Sequence, residues 1–302
     1  SVRLMSFFQG HQQESHATDA SHGLTMEELP YFIEHHIGDA KEIEFLGGHW
    51  SLESLSFAPI QLGGLSIDFS MTRHLLVMLL VGLFLVLSLV PTARKLRANS
   101  DSQKAPSGFG NVVEALVLYF RNEVVRRNIG HDADGYTPLI LTLFVFVLGM
   151  NLIGLTPLGI TPTANVSVTA ALAIIGFIVV EISGMRSLGI AGYAKTVFFL
   201  PPGVPRIMQP VILLIMVPVE AIGKLTKPFA LAVRLVANMV AGHSMVLAIM
   251  GMILILQSYI MGPLIVLAVG AIMILEVFVA CLQAYIFAML VSVFIGLIRH
   301  AH

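Results

Sequence analysis

Apolar positions come in long unbroken runs, and the polar residues between them divide the chain. Residues 1–26 are polar and dotted with His11, His16 and His22, which lack a metal-ligand spacing and predict a solvated N-terminal arm. Residues 27–70 mix charge with short apolar patches and carry turn signals at Gly47-Gly48 and Gly63-Gly64. With Tyr31 and Trp50, whose amphipathic rings suit a headgroup region, they predict an interfacial segment.

From 71 to 302 the pattern predicts a membrane domain. Its first span covers about 71–90, closed by Pro91 and by Arg94, Lys95, Arg97 and Lys104. Residues 111–130 set Val112, Val113, Leu116, Val117 and Phe120 at helical spacing against Glu114, Arg121, Glu123, Arg126 and Arg127, which predicts an amphipathic helix on the inner surface. Spans follow at about 137–155 and 164–183, joined by a tight uncharged turn.

The last two runs cover about 207–256 and 261–298. As single helices they would be about 75 and 57 Å long, against a hydrocarbon core of about 30 Å. Each could break into two upright spans, with Pro218 and Pro228 as kinks and Lys224 and Lys227 marking a surface. Neither run has a convincing polar turn inside it, which favours two long, strongly tilted helices forming a hairpin around 257–260. The expected fold class is an all-α integral membrane protein with about five crossings. Arg94 to Lys104, Arg186, Lys195, Arg206 and Arg299 fall on one side, which puts the N-terminus outside and the C-terminus inside.

Composition agrees: 56% of residues are hydrophobic and 12% charged, with mean hydropathy +0.86. Seventeen basic residues against eighteen acidic ones leave no basic stripe for phosphates, so nucleic acid is not an expected partner. The single cysteine, Cys281, lies in an apolar run and reads as packing. The chain begins at Ser1, from which a removed leader is expected. No phosphate loop, metal cluster or nucleophile-base motif stands out, so neither a catalytic site nor a cofactor is expected.

The chemistry concentrates in Leu231-Ala-Val-Arg-Leu-Val-Ala-Asn-Met-Val-Ala-Gly-His243. A central membrane arginine costs about 2.5 to 3.5 kcal/mol on insertion scales and survives where it faces protein, water or a charged partner. Arg234 and Asn238 share a helical face with Ala230, Ala237 and Ala241, which reads either as a docking surface for a partner bearing an acid or as a small-residue seam within the chain. Glu220 lies near the same face but roughly 21 Å away along a continuous helix, so the acid is expected from another subunit. His243, nine residues on, points the opposite way, into the protein. A hairpin at 257–260 sets it opposite Glu276, and Gln283 shares a face with Glu276. The pair reads as a proton relay to water or as a satisfied buried ion pair. Glu181, Lys195, Lys224 and Lys227 read as membrane-face charges.

These residues resemble subunit a of the F-type ATP synthase in its mitochondrial form. The likeness rests on the 231–243 motif, preceded by Pro218-x-Glu220 and followed by Glu276 and Gln283, and covers about residues 27–300. In many bacterial members the acid follows the Ala-Gly and the histidine lies in the last helix; here they are exchanged. The resemblance implies a stator beside a rotating c-ring whose membrane carboxylates pass Arg234. It implies an outer half-channel lined by Asn238, His243, Glu276 and Gln283 and an inner one near Glu220. Implied partners are the c-ring, other membrane-sector and peripheral-stalk subunits, the lipid bilayer and protons. The implied location is the mitochondrial inner membrane, with a bacterial plasma membrane as the alternative. A secondary transporter using Arg234 as an anion ligand would be expected to carry inverted repeats, and none is evident. A structural subunit of a redox complex, its polar residues merely paired, is the third reading.

Overall fold

The computed structural model describes four short strands between residues 42 and 67, together with residues 72–98, 108–131, 133–156, 159–198, 205, 208–256 and 261–299. The arm at 1–26 with its three histidines, Tyr31, the side chain of Trp50, Lys104, Arg206 and the turn at 257–260 lie outside the described residues.

Residues 42–67, expected to lie in an interfacial segment, contain two antiparallel strand pairs that the apolar patterning did not reveal. Strands β1 (Glu42–Phe45) and β2 (Gly48–Ser51) pair with Phe45 opposite Gly48. Strands β3 (Ile60–Leu62) and β4 (Leu65–Ile67) pair with Leu62 opposite Leu65. Gly48, marked as a turn signal, is the first residue of β2.

The membrane body is helical, with five helices long and apolar enough to cross a bilayer among the described residues. Helix α1 (Arg73–Ala98) runs through Pro91 rather than ending before it. Proline removes one backbone donor, and nearby hydroxyls serve neighbouring carbonyls: Thr92 Oγ1 donates to the Ser88 carbonyl at 2.7 Å and Ser88 Oγ to the Leu85 carbonyl at 3.2 Å. Its Val77 and Val81 are buried, while Leu79, Leu80, Leu83, Phe84 and Leu87 are exposed.

The expected amphipathic helix is present as α2 (Phe109–Tyr119), a π-helical segment (Phe120–Arg126) and a last turn, α3 (Arg127–Ile129). Its apolar face buries Phe120, Val124, Val125 and Ile129. In an α-helix, residues five apart diverge by about 140°, whereas the wider π turn lines them up. Arg121 and Arg126 thereby converge on Asp134, with four charge-assisted hydrogen bonds of 2.6 to 3.0 Å. Those bonds hold both guanidinium groups above their ordinary range and tie the surface helix to the start of the next span.

Helix α4 (Thr137–Gly154) and the C-terminal half of α7 (Met261–Arg299) form the core. Ile140, Val147 and Met150 pack with Phe287, Val291 and Ile295, and the Phe120 ring lies 4.5 Å from that of Phe144. Ala280, Ala284 and Ala288 allow a close approach, which matters because lipid tails are as apolar as the side chains and packing rather than water exclusion drives association.

Helix α5 (Val166–Val197) is longer than the expected 164–183 span and bends at Gly189, whose φ of 69° is open to glycine but not to most residues. Asn165 caps its start by accepting from the Ser167 N–H at 2.8 Å. Helix α6 (Gln209–Leu256) continues through Pro218 and Pro228, so the alternative of two upright spans is not adopted. It packs on α5 and α7, and the last two helices form the expected hairpin.

Candidate functional site

Helix α6 has two chemically different sides around Arg234. Leu231, Ala232, Leu235 and Met239 are buried against the rest of the protein. Arg234 is exposed together with Ala230, Ala237 and Ala241, and Asn238 beside them is half-buried. Among the described residues Arg234 forms no hydrogen bond or ion pair. The small-residue face is therefore open in this chain and is not a seam closed by another of its own described helices.

Two turns further along α6, Gly242 meets the Glu276 carboxylate so closely that a methyl group at position 242 would overlap Oε1. This close approach is the reason for glycine there. Glu276 Oε2 is buried without a hydrogen-bond partner among the described residues. His243 follows directly and is half-buried, with its ring near the Gly159 carbonyl in the loop after α4. No ion pair joins His243 to Glu276: the carboxylate rests on Gly242, and the imidazole lies near the loop at Gly159.

Gln283 lies two turns beyond Glu276 on α7 and is buried. Between them the Ala280 carbonyl accepts from Asn151 Nδ2 at 3.2 Å, and Thr163 Oγ1 donates to Asn151 Oδ1 at 2.7 Å. Asn151 and Thr163 are fully buried. Sequence reasoning passed over Asn151, although a lone carboxamide in an otherwise apolar span was a readable signal, since polar side chains at that depth need partners. Thr163 had no such signal, because only the fold carries its loop back under α4.

Glu220 belongs to a different place. It lines a cavity of about 150 Å³ between α5, α6 and α7, whose polar wall also contains Glu181, Thr196, Lys224 and Lys227. Glu181 and Lys224, read from the sequence as membrane-face charges, meet in this cavity wall. Their side chains are only 15% and 14% exposed and form an ion pair at 3.6 Å. Lys195, by contrast, is exposed.

The cavity reaches Leu231, one turn before Arg234, and the Gly242–Glu276 contact lies about 12 Å beyond Arg234 along the helix. Two separate polar regions therefore lie on either side of Arg234 along α6.

The model of the ATP synthase A chain family matches residues 75–296. The chain belongs to that family. Its members are proton-translocating membrane-sector subunits with no active site of their own. The chain is 40% identical over 263 residues to an ATP synthase subunit a from Chloroherpeton thalassium, covering 87% of this chain and 75% of that one. It is 38% identical over 306 residues to that of Anaeromyxobacter dehalogenans, covering 95% and 77%. It is 37% identical over 297 residues to that of Chlorobium phaeobacteroides, covering 95% and 84%.

These relatives are bacterial and do not support the mitochondrial form that the resemblance implies. The order of His243 and Glu276 does not identify an organelle, because two polar groups on facing helices can be exchanged wherever the hairpin keeps them adjacent. This ATP synthase A chain member is a multi-pass membrane protein.

Proposed function

We propose that this chain is the stator half of a proton motor, with Arg234 turned toward the membrane carboxylates of a rotating c-ring. The observation that carries this reading is the exposed face of Ala230, Arg234, Ala237 and Ala241, which has no partner of its own among the described residues. Small side chains let another helix come close and leave the guanidinium as the projecting group. Arginine keeps its charge at any accessible pH, so each passing carboxylate is held ionised beside it and protons cannot cross directly.

The outer half-channel runs past Asn238, His243, Glu276 and Gln283, and the inner one past Glu220. The separation of the two polar regions along α6 supports this offset. A proton entering by one route must ride the rotor to reach the other. Each transfer then delivers about 2.3 kcal/mol per 100 mV of membrane potential. The N-terminus lies outside and the C-terminus inside, in a bacterial plasma membrane, with the last two helices strongly tilted. Peripheral-stalk and other membrane-sector subunits hold the chain against the turning ring.

Cysteines placed at Ala237 and Ala241 test the docking face. Zero-length cross-linking to a c subunit in native membranes is the expected result. Cross-links from the far side, at Met239, with none from Ala237 or Ala241, would overturn the assignment.

A further inference from the structure

Lys224 follows Glu220 by one helical turn and shares its face of α6. A lysine four residues after a glutamate is in the favourable order for an ion pair. Here it pairs elsewhere: Nζ lies 3.6 Å from Glu181 Oε2 on α5 and donates to the Tyr193 hydroxyl at 3.1 Å. Lys227 lies over the Phe294 ring of α7, 5.3 Å from its centre. Both lysines of the cavity are thus drawn away, and among the described residues Glu220 makes no hydrogen bond or ion pair.

We propose that Glu181 is a positioning residue that holds Lys224 off Glu220 and keeps that carboxylate free to exchange protons with water. Glu220 takes one proton from water in the cavity and returns one, so nothing is consumed. A lysine ammonium bound to it would hold it ionised and slow that exchange. Glu181 and Lys224 are the most enclosed ion pair among the described residues, with side chains 15% and 14% exposed. Removing the acid alone leaves an uncompensated buried cation, whose nearest alternative on its own helix face is Glu220.

This inference rests on Glu220 serving the inner half-channel. The test measures passive proton conduction through assembled membrane sectors in inverted vesicles stripped of the soluble ATPase, normalised to the subunit and ring content. Glu181→Gln is expected to lower conduction roughly tenfold, the effect of about 1.4 kcal/mol on a barrier. Glu181→Gln combined with Lys224→Gln is expected to restore most of it. Glu181→Gln alone is expected to move the pH dependence of conduction to lower pH because a bound ammonium holds Glu220 ionised, a shift that a merely structural loss would not show. Should Glu181→Gln not assemble, Tyr193→Phe removes the second group holding Lys224 and gives a smaller loss in the same direction. Wild-type conduction in Glu181→Gln, in Tyr193→Phe where that variant stands in, or a double variant no better than the single, overturns the role of Glu181. Glu220→Gln separates the two layers: wild-type conduction there sinks the Glu220 assignment itself. Lost conduction there without rescue by the double variant sinks only the role of Glu181.

Discussion

Gly242 and Glu276 face each other across the last helical hairpin so closely that only a hydrogen at position 242 leaves room for the carboxylate. The contact fixes where an acidic group sits inside an apolar bundle. It also explains why a glycine precedes His243 in the middle of a long helix, where alanine would favour the helix by about 1 kcal/mol.

Gly242→Ala tests that contact directly. The added methyl would meet the end of a flexible side chain rather than backbone, so the helix pair is expected to stay assembled while Glu276 is pushed aside. Passive proton conduction should fall, and the amount of subunit recovered with the ring should not. Unchanged conduction would mean that the position of Glu276 is immaterial.

Arg234→Ala removes the charge proposed to separate the half-channels. Assembly should be largely intact, since no partner in this chain is lost among the described residues. ATP synthesis driven by a proton gradient should drop to background. Retained ATP-driven proton pumping in inverted vesicles would refute the role assigned to the arginine.

The His243 ring lies near the Gly159 carbonyl, and that neighbour sets the ranking of its replacements. Glutamine keeps a donor, whereas an ionised glutamate sets a second acceptor against the carbonyl. His243→Gln should therefore conduct better than either His243→Glu or His243→Leu when pumping rates are compared at equal protein. The reverse order would show that the loop contact is incidental.

Asn151→Leu would leave the Thr163 hydroxyl and the Ala280 carbonyl without their side-chain partner. A buried polar group that loses its partner costs about 1–3 kcal/mol. Thermal unfolding of the detergent-solubilised membrane sector should shift to lower temperature, and Asn151→Asp at low pH, where the side chain can still donate, should recover part of the loss. An unshifted unfolding temperature would mean that this network does not stabilise the bundle.

The sequence by itself determined the membrane class, the five long apolar helices and the two faces of α6. Each follows from a local quantity: run length against bilayer thickness, or an angle of 100° per residue. Local patterning also marked Arg234, His243, Glu276 and Gln283, because ionisable and amide groups are conspicuous in apolar runs. It could not foresee helix α1 passing through Pro91, since whether a helix outlasts the loss of one backbone bond depends on the rest of the fold. Nor could it decide among partners for a buried charge. Lys224 had Glu220 within reach on its own helix, yet the packing of α5 against α6 brought Glu181 and Tyr193 nearer. In the same way His243 lies near the loop at Gly159 and forms no ion pair with Glu276. Which neighbour a polar side chain meets depends on separations of a few ångströms between elements far apart in the chain, and only the tertiary structure sets those.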